Sequence, residues 1–250
     1  MSVEPIRSRA QVPFPSFTPV GEAGPATIPT PRSAPQLAQT QDVFEPAARP
    51  RRNTDEILRE YTVAPTAMTR WPNVAGVGLP GSREMTTGEA RMLDDLGWIR
   101  ANGVRNIANH AGEEALRRFP RTGNSNGHAD AFRHAYANAL LTRERGEQWT
   151  AAFTTAHEQN PDSAPLSVAM DLYNNEVGRR IARENPNASR EELGNLVQRA
   201  IENGEMMVIG NDLRLHYSDE LPTNYRAPSN SRLPMGPRNP GKEVEPPYTV

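Results

Sequence analysis

Residues 127–141 read GHADAFRHAYANALL, and within them Asp130, His134 and Asn138 recur four apart. On an α-helix that spacing stacks a carboxylate, an imidazole and an amide on one face, a turn apart. An Asp and a His so placed can jointly hold a divalent cation or work as an oriented acid–base pair. The stretch SVAMDLYNNEVGRR repeats the theme with Asp171, Asn174 and Asn175, and FTTAHE lies between the two with His157 and Glu158. These eight side chains form the candidate constellation.

Three chemistries fit it. In a hydrolytic site, Asp130 and His134 anchor a metal or the nucleophilic water, and His157 completes the ligand set. Glu158 or Asp171 takes the proton, Asn138, Asn174 and Asn175 orient substrate oxygens, and Arg133 holds an anionic group such as phosphate. An imidazole and carboxylate set without thiolates suits Zn, Mn, Fe or Mg. The spacing matches no established metal signature, because His157-Glu158 has no second His four residues on. His128 adds an imidazole near the helix start. In the second reading, a satisfied Asp–His–Asn network locks two helices together and does no chemistry. In the third, a pocket binds a ligand without transforming it. The residues alone leave all three open.

The elements that must carry these groups read as helices joined by short loops. Thr86-Thr87-Gly88-Glu89 has capping-box spacing, so a helix is expected to start there, bury Met92, Leu93, Leu96 and Ile99, and stop at Asn102-Gly103. A second helix, about 104–118, carries Val104, Ala108, Ala111 and Ala115. The quoted helix runs to about Glu144, with Phe132, Ala135, Tyr136, Ala139 and Leu140 on one face and the Asp/His/Asn set opposite. Apolar on one side and weakly solubilising on the other, it reads as a central helix. Further helices are expected near 146–159, from Pro165 to about Glu184 with Asp162 or Ser163 as cap, and after the capping box Ser189–Glu192. In the Pro165 helix, Gly178 lets another element come close, and Glu176, Arg179, Arg180 and Arg183 form the solvated side. EMMVIGNDLRLHY reads as a small hairpin. WPNVAGVGLP at 71–80 contains a GxG without the following helix of a phosphate loop and is set aside. His110, His216 and the three tryptophans read as packing or exposed residues. The fold class is mainly α: a single helical bundle with a small C-terminal β-hairpin.

Ten of the 24 prolines lie in residues 1–50 and seven follow residue 220. Together with low hydropathy this predicts a disordered arm over 1–53, one domain over 54–220, and a disordered Pro-rich tail over 221–250. A net charge of −2 argues against nucleic-acid binding. There is no cysteine, which excludes disulfides and thiolate zinc sites. No apolar run has the length of a transmembrane segment, and the N-terminus lacks the apolar core of a secretory signal.

The blocks MTTGEARMLDDLG, RRFP, DAFRHAYANALLTRERGEQW, FTTAHE and MDLYNNEVGRRIARENPNAS together resemble a family of uncharacterised bacterial domains found in secreted or toxin-like proteins; the resemblance covers residues 84–210. The family's pattern has Trp after the Tyr of the RHAY block, where this chain has Ala137. The difference widens the site or repacks it. The resemblance implies a secreted effector or toxin, and the Ser-, Pro-, Thr- and Gln-rich N-terminal arm is compatible with delivery into a target cell by a specialised secretion system. Its partners would be a substrate or protein of that cell, and a secretion apparatus or chaperone engaging the N-terminal arm. It implies no established reaction.

Overall fold

The computed structural model describes residues 50–236 except 75, 76, 121, 123 and 124. Residues 1–49 of the arm expected over 1–53, and 237–250 of the expected tail, lie outside the described residues. Arg52 and Asn53 belong to the fold instead, the Arg52 N–H donating to the Tyr217 hydroxyl at 2.7 Å and Asn53 capping the first helix. Helix α1 (Thr54–Glu60) leads into an antiparallel hairpin, β1 (Met68–Val74) and β2 (Val77–Thr86). Then come α2 (Thr87–Leu96), α3 (Trp98–Arg118), α4 (His128–Arg145), α5 (Glu147–Glu158), α6 (Pro165–Glu184) and α7 (Arg190–Glu202). A second antiparallel hairpin, β3 (Met207–Ile209) and β4 (Leu215–Tyr217), follows, and then a short 3-10 helix (Asn230–Arg232). The mainly helical class and the C-terminal hairpin are therefore as expected.

Helix α4 is the axis of the bundle, packed against α3, α5, α6 and α7. Its Phe132, Ala135, Tyr136, Ala139 and Leu140 are all buried, and so are Asp130, His134 and Asn138 on the other side. Small residues on α4 and Gly178 on α6 let the two backbones approach. A Cβ on Gly178 would stand 2.0 Å from the Ala135 carbonyl oxygen. Both capping boxes form as their spacing predicts, at Thr86/Glu89 and Ser189/Glu192.

Several boundaries differ from the sequence expectation, each for a local reason. The break between the first two long helices falls at Gly97, whose φ of 74° few other residues adopt. Asn102-Gly103 stays helical because Ala101, Val104 and Ile107 are buried around it. Ile99, expected in the core, is 85% exposed on the solvent side of α3. Ala164 takes the N-cap position of α6, so neither Asp162 nor Ser163 caps it, although Pro165 does sit in the first turn. The β1–β2 hairpin takes in WPNVAGVGLP, for which no strand is expected from the sequence. Val74, Val77 and Leu79 are exposed there, so the alternation that reveals a half-buried strand is missing. The folded region also runs past residue 220: Leu233 is buried, and Asn126 donates through Nδ2 to the Pro228 carbonyl at 2.8 Å. Among the described residues no helix is long and apolar enough to cross a membrane.

Candidate functional site

The close crossing of α4 and α6, with α5 alongside, brings most of the constellation together. His134 is buried at its centre, with Nε2 3.6 Å from Asp130 Oδ1 and 3.4 Å from Asp171 Oδ1. On the other edge of the ring, Nδ1 lies 3.3 Å from Asn175 Oδ1 and 3.6 Å from Glu158 Oε1. Arg133 Nη2 donates to Asp130 Oδ1 and sits 2.6 Å from His134 Nε2. An arginine can only donate, so Nε2 accepts and the ring's own proton is on Nδ1, facing Asn175. Burial first, then the charges of Arg133 and His157, hold the imidazole well below its ordinary pKa, which agrees with a neutral ring.

Two of the carboxyls around it, Asp171 and Glu158, are perturbed in the opposite direction. Burial, reinforced by Asp130 and Glu158, raises Asp171 well above the usual carboxylate range. Burial pushes Glu158 up to about 7 against the lowering charges of His157 and Arg133. Asp130 Oδ2 accepts the Asn126 backbone N–H at 2.6 Å, whereas Asp171 Oδ1 accepts no hydrogen bond at all.

His134, with Arg133, Glu158 and Asn175, lines a cavity of about 380 Å³ between α2, α3, α4, α5 and the β1–β2 hairpin. Trp71, Met85, Leu93, Val104, Leu141 and Phe153 supply apolar wall, while His134, Glu158, His157 and Asn175 supply a polar floor. A concave, largely apolar space with a few convergent polar groups is the usual form of a small-molecule site. Asp130 and Asp171 do not line it; they meet the imidazole at Nε2.

Three expected site residues have other duties. Asn174 leaves the cluster altogether: its Oδ1 accepts from Met207 N and its Nδ2 donates to Met207 O, both at 2.9 Å, fastening β3 to α6. Asn138 is saturated. It donates to the His134 carbonyl at 3.0 Å and to Asn175 Oδ1 at 2.6 Å, and its Oδ1 accepts from Arg179 at 3.0 Å and Thr154 at 3.1 Å. No capacity remains for a substrate. His157, expected as a metal ligand, turns its Nδ1 to Glu89 Oε1 at 2.8 Å and stands outside the Asp130–His134–Asp171 group. Its side chain is 53% exposed, so it borders the cavity rather than the buried cluster. Burial would lower its pKa, but the Glu89 hydrogen bond and the Glu158 charge overcome this and raise it to about 9. His128 is also elsewhere, with Nε2 2.7 Å from the Ser218 carbonyl.

Sequence reasoning missed Glu89, Thr154 and Arg179. Glu89 is the cap its spacing predicts: Oε2 accepts the Thr86 N–H at 3.0 Å. Its second oxygen is what binds His157. Thr86 Oγ1 in turn donates to the Ala156 carbonyl at 2.8 Å, which ties the start of α2 to α5 and sets Glu89 opposite His157. Arg179, assigned to the solvated side of its helix, instead reaches inward to Asn138. Its place two turns beyond Asp171 on the same helix was the available signal.

A family model described as a domain of unknown function (DUF6973) matches residues 98–205, a span that contains α3 to α7 and every group of the cluster except Glu89. No curated protein and no solved structure matches the chain.

Proposed function

We propose that the chain is a hydrolase acting on a small amphipathic substrate, the apolar part lodged in the cavity and the scissile polar group on its floor. The observation that carries this reading is that a buried carboxyl, Glu158, and a half-exposed charged imidazole, His157, both line one largely apolar cavity. Glu158 takes the proton of a water whose oxygen adds to the substrate's carbonyl or phosphoryl centre; the ester bond then breaks and Glu158 returns that proton to the departing alkoxide. Asn175 steadies that carboxyl through Nδ2 at 3.4 Å, and the His157 imidazolium, held charged by Glu89, offsets the negative charge that develops on the substrate oxygen. Delivery as a secreted effector into a target cell belongs to the same proposal. It is supported by the composition of residues 1–53 and by the family resemblance of the helical blocks.

The test is hydrolysis of p-nitrophenyl esters of graded acyl length and of bis-p-nitrophenyl phosphate by the full chain. Turnover is expected to rise with acyl length until the cavity is full. Glu158→Gln should then lower kcat by about 10²–10⁴-fold while thermal melting stays near wild type. Absence of turnover on every probe, or a Glu158→Gln variant as active as wild type, overturns the reading.

A further inference from the structure

We propose that Asp130, His134 and Asp171 form a divalent-cation site, and that the Arg133 guanidinium stands where the ion would sit. One oxygen or nitrogen from each of the three residues lies within 4.8 Å of the others. The separations from His134 Nε2, 3.6 Å to Asp130 and 3.4 Å to Asp171, are those of ligand atoms sharing one ion. Two atoms each about 2.1 Å from a cation at the tetrahedral angle lie about 3.4 Å apart.

The surroundings are prepared in the way metal ligands usually are. His134 offers Nε2 inward and directs Nδ1 to the Asn175 amide oxygen, with the Glu158 carboxyl beyond, which fixes the tautomer a metal requires. Asp130 is oriented by the Asn126 N–H on its far oxygen, leaving Oδ1 turned toward the imidazole. Asp171 is the independent sign. It is only 7% exposed, and its Oδ1 points at the shared centre without accepting any hydrogen bond. Buried carboxylate oxygens are seldom left so.

Arg133 supplies positive charge at this point. Its Nη2 bonds Asp130 and His134 together, and the charges of Asp130, Asp171 and Glu158 all act on it. Its side chain is 39% exposed, so the guanidinium has a way out toward the cavity that it also lines. Arginine and metal are thus alternatives for one place. Two carboxylates and one imidazole suit Mn²⁺, Fe²⁺ or Zn²⁺ more than a thiophilic ion.

The inference is independent of hydrolysis and is tested by binding. Chelator-stripped full-length protein is titrated with Mn²⁺, followed by electron paramagnetic resonance and calorimetry, and with Zn²⁺ by calorimetry. One ion per chain is expected, with a melting-temperature rise of about 5–10 °C at a hundredfold excess over Kd. Asp171→Asn, nearly the same shape, should weaken binding by at least about tenfold and melt no lower than the stripped wild type. Arg133→Gln removes the competing cation and should tighten binding. Overturning results are the absence of binding below millimolar concentration, an Asp171→Asn variant that binds as wild type does, or an Arg133→Gln variant that binds more weakly than wild type.

Discussion

The Ala135 carbonyl oxygen occupies the place of the side chain that Gly178 lacks: a Cβ there would lie 2.0 Å from it. That contact sets the separation of α4 and α6, and with it the distance from His134 to Asp171 and Asn175. Gly178→Ala adds one methyl group and forces the helices apart. The expected cost is about 3 kcal/mol or more, at the upper end of overpacking, and metal binding and turnover should fall together. Denaturant unfolding, read beside a Mn²⁺ titration, checks it. An alanine variant of wild-type stability would show that the crossing relaxes freely.

Asn174 permits a cleaner separation of structure from chemistry. Its amide satisfies both backbone groups of Met207, buried under β3. Replacing it by Ala leaves an N–H and a C=O without partners and should cost about 2–4 kcal/mol, or roughly 5–15 °C in Tm. Below that Tm, turnover and Mn²⁺ affinity should remain near wild type. A large loss of kcat in a folded Asn174→Ala protein would return this residue to the substrate site.

The reasons that part of this was legible in the sequence and part was not are physical. Four-residue spacing fixes angular position on a helix, so the shared face of Asp130, His134 and Asn138 followed from the sequence once the helix did. Capping boxes are local, and both formed. What spacing cannot reveal is which of several polar side chains on a face finds its partner first. Asn174 and Asn175 are adjacent, yet one serves β3 and the other His134. Arginine on a charged helix face usually meets water, whereas the length of Arg179 lets it reach Asn138 from a flank of α6. The β1–β2 hairpin escaped notice because its apolar side chains face outward, and with it went one wall of the cavity.

The His157–Glu89 pair gives a pH dependence whose sign is fixed. His157 rises from its ordinary 6.5 to about 9 in the folded chain, so its contribution to stability is complete below 6.5 and disappears as pH climbs to 9. Glu89 moves the other way. Burial opposes ionisation, but the His157 bond and charge and the Thr86 N–H hold it below its ordinary 4.5. Its contribution is present above 4.5 and is lost as pH falls through the lowered value. The pair is therefore worth most between about 4.5 and 6.5. Melting curves for wild type and His157→Asn should differ most in that window and converge toward pH 9. A difference that persists at pH 9.5 would mean that packing of the ring, not its charge, stabilises α5 against α2.

Ala137 offers a direct probe of the cavity. It follows Tyr136 on α4, lines the open space beside His134, and is only partly buried. The position borders open space, so a larger ring can be placed there. An indole needs well over 100 Å³ beyond alanine's methyl, a substantial share of the 380 Å³ present. Ala137→Trp should fold with a Tm at or slightly above wild type, since it buries apolar surface in space already there. It should shorten the longest acyl chain the protein hydrolyses and raise KM for long esters, leaving short esters nearly unchanged. The Mn²⁺ affinity, which depends on groups that meet the imidazole at Nε2, should not move. Equal loss on short and long esters would place the indole over the polar floor instead, and unaltered chain-length preference would mean that the substrate lies outside this cavity.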